Sequence, residues 1–193
     1  MIITYYGLSC FKLQSGELAV AIDPFTKMHD LQTPRFEAIA VLFTNPKANT
    51  DTSIAGNPLI FATPGEYETK DISFVGFDAP EGTPFFIEWE GIRLLHLGAV
   101  TKRESIENIL KYSTSIDILF ISSEGSSSDT QKILSDIDPR IIIPMQTAEA
   151  KKFSFDSFSK EIGERGEKSD KLTIKKKGLP TEGRRLVMLD ASR

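Results

Sequence analysis

The chain has 193 residues, is 40% hydrophobic and 26% charged, and carries a formal net charge of −4. That length and balance suit one globular domain with a sizeable core, and the small negative charge gives no general attraction to nucleic acid or to acidic membranes. A single cysteine, Cys10, excludes an intramolecular disulfide framework and fits a reducing compartment. The N-terminal residues carry no basic, apolar leader, and no apolar run approaches the roughly 20 residues a membrane helix needs, so a cytoplasmic location is expected.

Residues 2–6 are rich in β-branched and aromatic side chains and predict a strand. Residues 7–10 turn it, residues 11–14 alternate as a second strand, and Ser15-Gly16 marks a hairpin into a third strand at residues 18–22, ended by Asp23-Pro24. Residues 28–36 read as a loop or short helix. Residues 38–43 are a continuous apolar run of buried-strand type, followed by the polar, helix-breaking segment Thr44-Asn-Pro-Lys-Ala-Asn-Thr-Asp51. Such a segment, directly after a buried strand, is where α/β proteins place chemistry.

A strand at residues 58–61 precedes Thr63-Pro-Gly-Glu-Tyr-Glu68, read as a structural turn, and strands follow at 72–75 and 84–89. Glu90-Gly91 suits a tight hairpin into residues 92–97. Residues 102–112 have helical spacing and 116–121 form a buried strand. A Ser-Gly loop at 122–128 leads into a helix capped by Ser128 or Asp129 and running to Ile137. Residues 139–144 predict a strand, 148–162 a mixed helical stretch, 171–175 an alternating strand and 185–189 a last strand. Neither a repeat nor a linker is visible.

Several of these stretches resemble the metallo-β-lactamase superfamily, in particular its small single-domain branch similar to the ascorbate-6-phosphate lactonases. Tyr6-Gly7-Leu8-Ser9-Cys10-Phe11 is similar to that branch's Leu-Gly-His-Ser-Cys-Phe, with Leu8 in place of the histidine. Ile22-Asp23-Pro24-Phe25 matches its Asp-Pro-Phe turn, and Pro64-Gly-Glu-Tyr-Glu68 a further motif. The resemblance implies one domain over residues 1–193 in the four-layer αββα order. Two groups of strands interleaved with helices already imply a sandwich of two sheets covered by helices on both outer faces.

In that branch the segment after the buried strand reads Thr-His-x-His-x-Asp-His and binds two metal ions. Here Thr44 matches, while Asn45, Lys47, Asn49 and Thr50 stand where the ligands belong. The family's mid-chain histidine has no counterpart between Asp78 and Gly82. Its His-Leu-Gly-Asp becomes His96-Leu97-Gly98-Ala99, and its Pro-Met-His becomes Pro144-Met145-Gln146. The chain has two histidines, His29 and His96, whereas a dinuclear site needs a cluster of N and O ligands with an open position for water. The resemblance therefore implies the fold without the dinuclear site, and no cofactor is expected.

The vestigial pocket would comprise Asp23, Asn45, Lys47, Asn49, Thr50, Glu66, His96 and Gln146. A non-catalytic binding or scaffold module is the leading expectation. Its rival is a phosphoester or lactone hydrolase with a rebuilt site of Asp23, Lys47, Asp51, Glu66, His96 and Gln146. His96, at the end of an apolar strand, reads as a hydrogen-bonded core residue ahead of a catalyst. Asp23 either orients loops or bonds its own turn. Glu66 and Glu68 share a face if extended and would then form a carboxylate pair. Lys47 either holds a small anion where a metal would sit, or turns to solvent or an internal carboxylate. The expected partners are such an anion and a second copy of the chain, with neither nucleic acid nor membrane among them. The Ser-Gly loop and Lys175-Lys-Lys177 read as a capped loop and a solvated sheet edge.

Overall fold

The structure is a computed structural model that describes residues 1–26, 31–45, 53–112, 115–147 and 154–192, with the backbone alone at Phe155. In chain order the strands are β1 (Ile2–Gly7), β2 (Cys10–Ser15), β3 (Leu18–Ile22), β4 (Ala40–Leu42), β5 (Leu59–Phe61), β6 (Gly65–Thr69), β7 (Ile72–Gly76), β8 (Phe85–Trp89), β9 (Ile92–His96), β10 (Ile118–Ser122), β11 (Ile141–Met145), β12 (Gly166–Ser169), β13 (Lys171–Thr173) and β14 (Arg185–Leu189). They form a six-stranded sheet, β13-β1-β2-β3-β4-β5, and an eight-stranded sheet, β12-β14-β11-β10-β9-β8-β7-β6.

The sheets face one another across a shared core. Ile3, Phe11, Leu13, Val20, Ile22 and Leu42 meet Phe74, Phe85, Ile87, Leu94, Phe120 and Ile143 there. The central strands of the larger sheet are apolar on both faces, which explains their unbroken hydrophobic runs. Their outer face is covered by a 3₁₀ turn (Arg103–Ile106) leading into α1 (Glu107–Tyr112), by α2 (Ser127–Ile137) and by α3 (Phe155–Ile162), through Ile106, Ile109, Ile133, Leu134, Ile137 and Phe158. The αββα class holds. Among the described residues, the helical cover expected outside the six-stranded sheet is replaced by irregular segments, which set Phe36, Ala38 and Ile54 over Ala19, Ala21, Val41 and Phe43.

Four local expectations need correction. Helix α2 is capped by Ser126, whose Oγ accepts the Asp129 N–H at 3.1 Å, so the cap lies ahead of Ser128 and Asp129. The stretch at 63–68 is a turn only at its start, because Gly65–Thr69 pairs antiparallel with β7. The predicted strand at 38–43 is regular only over Ala40–Leu42. Strand β12, Gly-Glu-Lys-Ser, has no counterpart among the predicted strands, since it lacks apolar alternation and is held by parallel pairing to β14.

Strands β3, β4 and β5 run parallel to one another, as do β9, β10, β11 and β14. The carboxyl ends of β3, β4, β9, β10 and β11 release residues 23, 44, 97–99, 123–124 and 146–147. In α/β sheets that end carries the ligand site.

Candidate functional site

The site is a set of loops joined across the two sheets by short polar contacts. Asp23 closes β3 in a left-handed conformation, φ 45°, which turns its carboxylate toward the loop after β4. There Thr44 donates twice, from its backbone N–H to Oδ1 at 2.7 Å and from its hydroxyl to Oδ2 at 2.6 Å. The Ser9 side chain adds a weaker hydrogen bond. Burial dominates over these donors and pushes the Asp23 carboxyl up to about 6. The same burial, with Asp23 alongside, pushes the Cys10 thiol well up, so it is an inert core group.

Thr44 is the hinge between the sheets. Its carbonyl accepts the Thr83 N–H at 2.7 Å, just ahead of β8. Its side chain lies against Gly98, whose φ is +58° and where an added Cβ would stand 2.5 Å from Thr44 Oγ1. Only glycine meets both the backbone angle and the approach.

Gly98 in turn donates its N–H to His96 Nδ1 at 3.2 Å. With Nδ1 accepting, the network assigns the proton to Nε2, which donates to the Ser9 carbonyl at 3.1 Å. The His96 ring is 0% exposed and packs against Phe11 and Phe120 at centroid distances of 5.7 and 5.4 Å. Burial pushes its pKa down to about 3, so the ring is neutral at any ordinary pH. Asp23, Thr44, Gly98, His96 and Ser9 thus form a closed circuit, with residues 9, 23 and 44 from the six-stranded sheet and 96 and 98 from the eight-stranded one.

A second bridge lies beside the first. Tyr5 donates its hydroxyl to the Leu8 carbonyl at 2.8 Å and receives the Gln146 backbone N–H. Burial raises this phenol well above its ordinary range. Glu124, after β10, accepts the Thr147 N–H at 3.0 Å and the Thr147 hydroxyl at 2.8 Å, which fixes the loop after β11.

Of the residues the sequence singles out, Asp23, His96 and the Gln146 backbone come together here. Asn45, directly after Thr44, is exposed. Glu66 is also exposed, on edge strand β6 opposite Val75, and Glu68 shares its outer face. Lys47, Asn49, Thr50, Asp51 and His29 lie outside the described residues. Ser9, Gly98, Tyr5, Glu124 and Thr147 are site residues that the sequence does not single out; Ser9 and Gly98 lie in motifs that resemble the family's, while Tyr5, Glu124 and Thr147 carry no signal beyond lying in or next to a strand.

The described donor set does not fit a metal centre. Both His96 nitrogens are committed, one lone pair to Gly98 and one proton to Ser9, and both Asp23 oxygens accept from Thr44. Ala99 offers no ligand atom where the resemblance calls for a bridging carboxylate. Among the described residues no three His, Cys, Asp or Glu side chains converge on one point.

No curated protein matches this chain. Solved structures do. A Thermotoga maritima protein assigned to the Zn-dependent hydrolases of the metallo-β-lactamase superfamily is 24% identical, with a TM-score of 0.78 over 98% of this chain and 100% of that one. A Parabacteroides distasonis protein assigned as a metal-dependent hydrolase is 15% identical, with a TM-score of 0.61 over 96% and 91%. The metallo-β-lactamase fold protein YhfI of Bacillus subtilis is 8% identical, with a TM-score of 0.61 over 100% and 97%. At these identities the likeness is one of fold. The family model described as the Beta-lactamase superfamily domain matches residues 2–146, well over half of the chain. The chain belongs to the beta-lactamase superfamily.

Proposed function

We propose that this protein is a non-catalytic binding or scaffold module built on the metallo-β-lactamase fold. The observation that supports it is the closed circuit through Asp23, Thr44, Gly98, His96 and Ser9. Atoms that could ligate a metal or move a proton are turned onto neighbouring protein groups instead. Function follows the site and not the fold, so hydrolase relatives do not transfer their activity to a site with different residues. The reading is tested by a phosphodiester and lactone hydrolysis screen of purified protein. Turnover abolished by Asp23→Asn would overturn it.

The rival reading, a hydrolase with a rebuilt site, draws on one observation. A carboxyl raised to about 6 is in the range of a general base. Against it, both oxygens of that carboxylate already accept hydrogen bonds from Thr44.

We further propose that residues 1–193 act as one domain, since both sheets share one core. No described helix is long and apolar enough to cross a membrane, and the sole cysteine is buried and unpaired; a cytoplasmic location is consistent with both. A small anion held by Lys47 is the ligand class suggested by the sequence. Phosphate titration should stabilise the wild type in proportion to ligand occupancy and leave Lys47→Met unchanged. Equal responses would remove Lys47 from the pocket.

A further inference from the structure

The two sheets have four edges, and three are guarded by charge. Strand β6 exposes Glu66 and Glu68, β12 exposes Glu167 and Lys168, and β13 exposes Lys171. Charged side chains on an edge discourage pairing with another chain. Strand β5, the remaining edge, reads Leu-Ile-Phe. Leu59 is 50% and Ile60 41% exposed; among the described residues the only other large exposed hydrophobic is Tyr112. From residue 53 to residue 65 the chain has no Asp, Glu, Lys, Arg or His.

The open hydrogen-bonding groups of β5 can be assigned. Leu59 donates its N–H to the Ile39 carbonyl, and the Phe61 carbonyl accepts from the Phe43 N–H, both at 2.9 Å. Residues 59 and 61 therefore bond inward, to β4. By the alternation of a strand, the N–H and C=O of Ile60 face the open side. Phe61, stacked on Tyr67 at 4.4 Å, anchors the strand from below.

We propose that β5 is a self-association edge, and that its occupant is a second copy of this chain, paired antiparallel about a two-fold axis at Ile60. Antiparallel pairing places Ile60 opposite Ile60 of the second copy, exchanging both N–H···O=C bonds, and sets Leu59 across from Phe61. A two-fold interface must be self-complementary, and an apolar triplet centred on Ile60 meets that condition. The charge pattern favours a like copy. Each chain carries −4, so repulsion between copies is least where the surface is uncharged, and the strip offers a charged partner nothing to pair with. Pairing would join two six-stranded sheets into one.

The test is sedimentation velocity of the full chain from about 5 to about 300 μM, a range suited to a small interface. The wild type should pass from monomer to dimer. Ile60→Lys puts a charge on the edge, and Ile60→Pro removes only the outward N–H, which edge strands tolerate. Both variants should stay monomeric, with circular dichroism and melting temperature matching those of monomeric wild type. In the wild type, hydrogen exchange at the Ile60 amide should slow as concentration rises, a readout that needs no variant. A wild type that is monomeric throughout, a dimer that survives either substitution, or an Ile60 amide whose exchange ignores concentration would overturn the proposal.

Discussion

Replacing His96 by glutamine tests whether the ring is held neutral in the core. An unfolded histidine titrates near its ordinary 6.5, and the folded His96 at about 3. Between those values the unfolded chain takes up a proton that the native chain refuses, so stability falls as pH is lowered through that window. The slope is about 1.4 kcal/mol per pH unit, or about 2 kcal/mol between pH 6.5 and 5.0. Glutamine can retain the bond to the Ser9 carbonyl and does not titrate. It leaves the Gly98 N–H without its Nδ1 acceptor, at a cost of about 1–3 kcal/mol. The variant should therefore be less stable than wild type at pH 7.5 by about that amount, and close to it at pH 5.0. Urea denaturation followed by the single, buried Trp89 reads both. Asp23 titrates in both proteins, so its effect largely cancels in the difference. A gap that is the same at the two pH values would refute a buried neutral His96.

Asp23 should act in the opposite direction. Its carboxyl is raised to about 6 from 3.8, so the native state holds a proton more tightly and stability falls as pH rises through that window. Asp23→Asn should gain about 1–3 kcal/mol relative to wild type between pH 4 and pH 7.5, allowing for partial exposure; a difference independent of pH would contradict this. Gly98→Ala should cost roughly 2–5 kcal/mol, from the left-handed backbone and the overlap with Thr44, and a melting temperature like that of wild type would show that the loops are not locked together at Thr44.

Strands such as β3 and β14 were legible to the residue because alternation and apolar runs are local signals. Strand β12 was not, because a polar strand owes its existence to its neighbour β14. The Pro-Gly-Glu-Tyr-Glu stretch reads as a turn through its resemblance to the family's motif, and only its start turns. The pairing of Glu66 with Val75 and of Glu68 with Ser73 is a tertiary fact. At the site, Asp23 and His96 stood out as isolated polar residues at strand ends. What binds them did not, because the Thr44–Asp23 and His96–Ser9 bonds span 21 and 87 residues of sequence. Gly98 is marked only as the glycine of the His96-Leu97-Gly98-Ala99 motif. Its role depends on a backbone angle and on the distance to Thr44, neither of which is written locally.

The central claim is that protein hydrogen bonds join these loops at the place where the similar family motif binds metals. Elemental analysis of untagged protein, paired with thermal melts in the presence and absence of a strong chelator, tests it most directly. The account predicts zinc, manganese and iron all far below one per chain, and melts that coincide. About one or more metals per chain, lost on substitution of residues 45–50 and accompanied by a chelator-induced drop of several degrees, would contradict it.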